Sequence, residues 1–279
     1  MRKALAPGRA GSARWLLAAL TLGLLLSPLP AQWIDYPTSG VPRTPDGKPD
    51  LAAACPRTPD GKPDLSGLWI MQPNRDATPN FPGCEPTAEE FANIGWSLKE
   101  GLPYQPWAAD LVKTRRAELR VHDPLSYCFP PGPVRLHTWS TPRKVIQRPG
   151  LVVILNELNA SYRQIFTDGR PLPSDPNPSW NGYSSGKWDG DTLVVQTNGF
   201  RDGIWLDSTG NPLTDAAKLT ERFHRVNFGR MDIEIAVDDP KAYTKPWTIK
   251  LTHIIKLDTD LLDFVCLENE KDTRHLLVK

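Results

Sequence analysis

The sequence has almost no net charge: 33 lysines and arginines stand against 32 aspartates and glutamates, leaving +1 over 279 residues. A balance this even gives no electrostatic pull toward a polyanion, so nucleic acid is not an expected partner. Apolar runs of the roughly 20 residues needed to span a bilayer are missing. Cysteine is scarce, with four residues at positions 55, 84, 128 and 266, and none of them forms a CxxC pair, which argues against a structural zinc site. Glycine-rich phosphate loops and HExxH are absent too, so no cofactor and no metal is implied. The loop Asp175-Pro-Asn-Pro-Ser-Trp-Asn181 alternates oxygen ligands as a calcium loop does, but Trp180 occupies the glycine position and no glutamate closes it.

What is present begins with an export pattern. Arg2, Lys3, Arg9 and Arg14 precede the apolar stretch Trp15 to Leu26, and Ser27-Pro-Leu-Pro-Ala31 follows it. Residues 1–31 therefore read as a signal peptide, which places the protein in the periplasm or outside the cell and allows its cysteines to oxidise. Leu51-Ala-Ala-Ala-Cys55 imitates a lipoprotein cleavage box, but Arg43, Asp46, Lys48 and Asp50 separate it from the apolar stretch. Cys128 is expected to pair with Cys84 or Cys266, because Cys55 falls in a linker.

Proline is abundant, 29 residues or about a tenth of the chain where roughly 5% is usual, and it crowds the first half. Residues 32–64 form a Pro-rich extended arm holding a duplication: Arg43-Thr-Pro-Asp-Gly-Lys-Pro-Asp-Leu51 recurs as Arg57 to Leu65. Residues 65–279 read as one β-barrel domain with a helical insertion at 86–120. Within the insertion Thr87 caps a first helix, and Pro106-Trp107 open a second. Strands are expected at Val134–Trp139, Lys144–Arg148, Leu151–Leu158, Tyr162–Asp168, Tyr183–Trp188, Thr192–Phe200, Leu219–Val226, Met231–Asp238, Thr248–Leu257 and Leu262–Asn269, from short apolar, β-branched and aromatic runs broken by turn residues. Asp189-Gly190 marks a two-residue hairpin. No helical pattern separates these strands, so the fold class is mainly β, an antiparallel closed barrel. Ser66-Gly-Leu-Trp69 is similar to the Gly-x-Trp that opens lipocalin-type (calycin) barrels.

Five segments carry a wider likeness: Pro59 to Trp69, Ile165-Phe-Thr-Asp-Gly-Arg170, Gly186 to Val195, Glu221-Arg-Phe223 and Asp239 to Trp247. Together, from about residue 40 to 270, they resemble a large uncharacterised family of exported bacterial proteins. That resemblance implies export and brings no assigned catalytic residues with it.

Candidate site residues come from polar groups on apolar strands, since burying an ionisable side chain is costly unless it is paired. Glu157 shares a face with Leu151, Val153 and Leu155; His253 shares one with Ile249, Leu251 and Ile255. Arg163 lies on the face of Ile165. On Leu219–Val226, His224 and Arg222 share one face, while Glu221 and Phe223 share the other. Internal ion pairing is the plainer account of these groups. Gly182-Tyr-Ser-Ser-Gly186 matches GxSxG, but no helix follows Ser184 to make a nucleophile elbow. Trp180, Tyr183, Trp188 and Trp205 lie beside turns, where they suit the rim of a ligand site.

Two readings follow. The first is a binding module for a small apolar or aromatic molecule. The second is a cofactor-independent lyase, isomerase or hydrolase with Glu157 or His253 as general base and Arg163 or Arg222 steadying an anion. The first is preferred, because no catalytic motif stands in its proper structural context. The sequence does not set the oligomeric state.

Overall fold

The computed structural model describes residues 36–72, 94, 95, 97–118 and 121–268. Its strands are β1 Gly67–Met71, β2 Arg143–Arg148, β3 Leu151–Asn156, β4 Tyr162–Phe166, β5 Tyr183–Asp189, β6 Thr192–Asn198, β7 Ile204–Trp205, β8 Pro212–Leu213, β9 Lys218–Arg225, β10 Arg230–Asp238 and β11 Trp247–Ile255. Among the described residues two α-helices, α1 Pro106–Ala117 and α2 Pro133–Thr138, accompany a 3₁₀ turn at Pro124–Tyr127. All strands except the small β7–β8 pair close into one barrel, in the order β1-β11-β10-β9-β6-β5-β4-β3-β2.

Side-chain alternation explains the closure. Trp247, Ile249, Leu251 and His253 of β11 are buried, and Met231, Ile233, Ile235 and Val237 of β10 meet them from the neighbouring strand. Each strand thus turns one face to a single apolar core. At the β5–β6 hairpin Asp189 pairs with Thr192, so the loop residues are Gly190 and Asp191. Only Gly190 of the two has a positive φ, 57°, the pattern of a type II′ turn with glycine first.

The barrel is antiparallel except at one seam. β4 and β5 run parallel, with Ile165 opposite Ser184 and Phe166 opposite Ser185. The proline-rich stretch 167–182 causes this, carrying the chain back along the barrel before β5 starts. Gly199 lets that stretch pass, because a Cβ there would lie 2.4 Å from Pro176 Cγ.

Two expected strands are corrected. Val134–Trp139 is helical up to Thr138, as part of α2, whose six residues are all buried. Pro133 stands at its first position, where a missing N–H costs nothing, and Gly132 at its N-cap has φ 78°. Leu262–Asn269 forms no strand over its described part, only a single bridge from Phe264 to Leu158. Cys266 there is tied to Cys128 across 138 residues of chain. Cys55 is free, and Cys84 lies outside the described residues. Helix α1 opens at Pro106 as expected. The signal peptide and the helix expected from Thr87 fall outside the described residues, apart from residues 94, 95, 97 and 98 of the latter.

The duplicated arm shows one sequence in two environments. Both copies make the same small turn: Thr44 N–H donates to Lys48 O at 2.9 Å, and Thr58 N–H to Lys62 O at 2.9 Å. Both copies touch the barrel, the first where Gly229 N–H donates to Leu51 O at 2.9 Å, but only the second buries its leucine. Leu65 is 1% exposed against 45% for Leu51, and Arg57 makes a bidentate pair with Asp191 at 3.0 and 2.7 Å. Local sequence therefore sets the turn, while the barrel decides burial. Leu65→Ala should cost at least about 2 kcal/mol and Leu51→Ala under about 0.5. Urea unfolding of the two variants checks this, and equal losses would contradict the asymmetry.

Candidate functional site

A chain of buried polar groups crosses the barrel interior. Glu221 points inward from β9 between Leu219 and Phe223 and is 0% exposed. Arg163 of β4 clasps it, with Nη1 donating to Oε1 at 2.9 Å and Nη2 donating to Oε2. The same guanidinium donates to Thr197 Oγ1 at 2.8 Å and to Ser184 Oγ at 3.1 Å. Ser184 is thus held as a hydrogen-bond partner of Arg163 inside the wall.

His137 of α2 extends the chain. Arg143 Nη1 donates to its Nδ1 at 3.0 Å, so the ring proton is on Nε2, which donates to Glu221 Oε1 at 3.1 Å. His253 Nε2 donates to the His137 carbonyl at 3.0 Å. Its Nδ1, like Arg143 Nε, meets no partner among the described residues. Burial outweighs the attraction of Glu221 and pushes the His137 pKa down to about 4. Desolvation also takes Arg143 down to about 9 and His253 well below the ordinary histidine range, Arg143 adding to the latter. For Glu221 burial acts the other way, but the Arg163 charge and the His137 bond prevail and hold it at about 2. Both histidines are therefore neutral at pH 7, and Glu221 is ionised.

Of the acid–base candidates read from sequence, the structure brings Arg163 and His253 into this interior. Glu157 lies elsewhere: the buried face of β3 is Val152, Ile154 and Asn156, and Glu157, just beyond the strand, accepts the Leu262 N–H at 3.1 Å near the surface. Arg222 and His224 also point outward, Arg222 pairing with Asp189 at 3.1 Å. Alternation along β9 was enough to find Glu221, on the face of Leu219 and Phe223. His137 had no comparable signal, since its side-chain direction depends on α2 being a helix, and Arg143, on the buried face of β2 with Val145, stands one residue before the strand expected from Lys144.

The aromatic candidates divide as well. Trp188 packs against the barrel core, and Tyr183 stacks on Phe166 at 5.4 Å. Trp180 and Trp205 come together in an open cleft of about 380 Å³ beside the entry to α2, with Tyr127, Phe129, Arg115 and Arg201. Phe129 stacks on Trp180 at 5.2 Å, and the Arg201 guanidinium lies 4.8 Å from the Trp180 ring centre. Arg115, from α1, lies 4.5 Å over Trp205 and gives Nη1 to Gly210 O at 2.7 Å. Gly210 is required at that contact, because a Cβ would sit 2.7 Å from Arg115 Cδ. Burial brings the Arg115 pKa down to about 10, so it remains a cation at neutral pH. Beneath the cleft Asp123 and Arg135 form a buried bidentate pair, 2.7 Å on each arm, which fixes the chain entering α2.

Among the described residues no helix is long and apolar enough to cross a membrane, which says nothing of strands. No group of three or more His, Cys, Asp or Glu among them is placed to hold a metal ion. Comparison with protein-family models finds no match, and neither does comparison with curated proteins or with solved structures.

Proposed function

We propose that the protein is an exported binder of a small aromatic molecule, held in the cleft beside α2. The observation that carries this reading is the convergence of Trp180, Trp205, Phe129 and Tyr127 on one opening of about 380 Å³, within the size range of small-molecule sites. The barrel interior is a poorer candidate, because α2 and the Arg163–Glu221–His137 chain take up its space. In a lipocalin-type barrel a ligand occupies that interior; in this chain the barrel acts as scaffold for a site on its flank. Export is supported by the Cys128–Cys266 bridge, of a kind that persists in oxidising compartments, and by the signal-like N-terminus.

Titration with 2-naphthalenemethanol, a neutral aromatic probe, followed by tryptophan fluorescence, tests the reading. Saturable binding that Trp180→Ala weakens about tenfold is expected, as for loss of an aromatic wall. Absence of binding, or equal affinity in the variant, would overturn it.

One observation favours an acid–base enzyme as second reading. His253 is neutral, its Nε2–H fixed on a carbonyl and its Nδ1 open, the arrangement of a general base. At 0% exposure it is shut away from solvent, which leaves binding as the first reading.

A further inference from the structure

The ligand's charge can be read from how the cleft arginines are held. This inference rests on the binding reading above and adds the chemical class. A guanidinium lying over an indole uses its face for the contact and keeps its N–H donors in its own plane, directed sideways. The Arg201 guanidinium carbon lies 4.8 Å from the Trp180 ring centre, and no carboxylate is hydrogen-bonded to Arg201 among the described residues. Arg115 over Trp205 hydrogen-bonds a carbonyl, Gly210 O, and no carboxylate among the described residues, although the charges of Asp123 and Glu118 reach it. Among the described residues the one carboxylate lining the cleft, Asp202, accepts the Asp215 N–H through Oδ1 at 3.0 Å. Other exposed arginines divide: Arg57 pairs with Asp191, Arg170 with Asp168 and Arg230 with Asp232, while Arg43 donates to the Gly47 carbonyl at 2.7 Å and Arg148 has no ion pair among the described residues. The cleft is therefore positive in excess, with planar donors set at the edge of aromatic walls. A carboxylate in the plane of the Arg201 fork, on a ring held against the aromatics, satisfies both features at once.

We propose that the cleft selects planar aromatic carboxylates, with Arg201 as the specificity-determining residue. The test compares 2-naphthoate with 2-naphthalenemethanol, which shares the ring system and lacks the charge, by calorimetry at low ionic strength on the full chain. The carboxylate should bind about tenfold more tightly. Arg201→Gln should erase most of that ratio, and melting temperature serves as the folding check, since Arg201 is exposed. Equal affinity for the two compounds, or a ratio unchanged in a folded Arg201→Gln variant, would overturn the carboxylate preference while leaving aromatic binding in place. Failure of both compounds to bind would remove the binding reading and this inference together.

Discussion

Glu221→Gln should destabilise the protein by about 3–5 kcal/mol, the usual loss when one partner of a buried ion pair is removed. The carboxylate is enclosed completely, and its charge offsets the Arg163 guanidinium, itself buried. Glutamine keeps the volume and offers one oxygen, but it leaves Arg163 as a bare cation in the core, and its amide N–H₂ faces a donor wherever the oxygen does not. The loss also reaches α2, because the His137 Nε2–H loses its ionic acceptor. Glu157→Gln is the control. Its side chain is only half-buried and takes one backbone N–H, so a change under about 1 kcal/mol is expected. Urea midpoints with an unchanged m-value measure both. A Glu221→Gln loss as small as that of Glu157→Gln would mean that the interior pair is not what holds β4, β9 and α2 together.

The second large effect is acid sensitivity that begins near neutrality. His137 titrates at about 4 in the folded chain against an ordinary 6.5. Between those values the unfolded state binds the proton and the folded state does not. Stability is therefore complete above about pH 6.5 and lost as pH falls toward 4. The difference of 2.5 units, at about 1.4 kcal/mol per unit, amounts to on the order of 3 kcal/mol. His253, also depressed by burial, acts in the same direction. Glu221 contributes a separate lower limb, from its ordinary 4.5 down to about 2. Carboxylates alone would leave stability flat down to about pH 5, so unfolding free energy measured between pH 7.5 and 5 isolates the histidines. A steady decline is expected, reduced in His253→Gln, and a flat profile would contradict neutral buried histidines.

How much of this was legible in the sequence depends on how far each feature is local. The barrel was, because β9, β10 and β11 alternate apolar and polar residues along their length, and a period of two assigns the inner face without further information. β3 defeats the same rule. Leu151, Val153 and Leu155 oppose Val152 and Ile154, so both faces are apolar and the period cannot say which is inside; Glu157 was placed on the wrong one for that reason. The run from Val134 to Thr138 is too short to show a helical period and reads as a strand. Burial of all its residues, together with the Asp123–Arg135 pair that anchors its entry, makes it a helix. With α2 went His137, the link between Glu221 and Arg143. The cleft follows the same logic: Trp180 and Trp205 stood out as aromatics beside turns, but their arginine partners come from α1 and from the loop after β6, which only the closed fold brings together.

The cleft itself is tested most directly by the indole N–H signals of ¹⁵N-labelled protein during titration with 2-naphthoate. The account predicts that the Trp180 and Trp205 signals shift and saturate together, while those of Trp69 and Trp247, inside the barrel, stay in place. Shifts confined to Trp69 and Trp247, or none at Trp180 and Trp205, would contradict it.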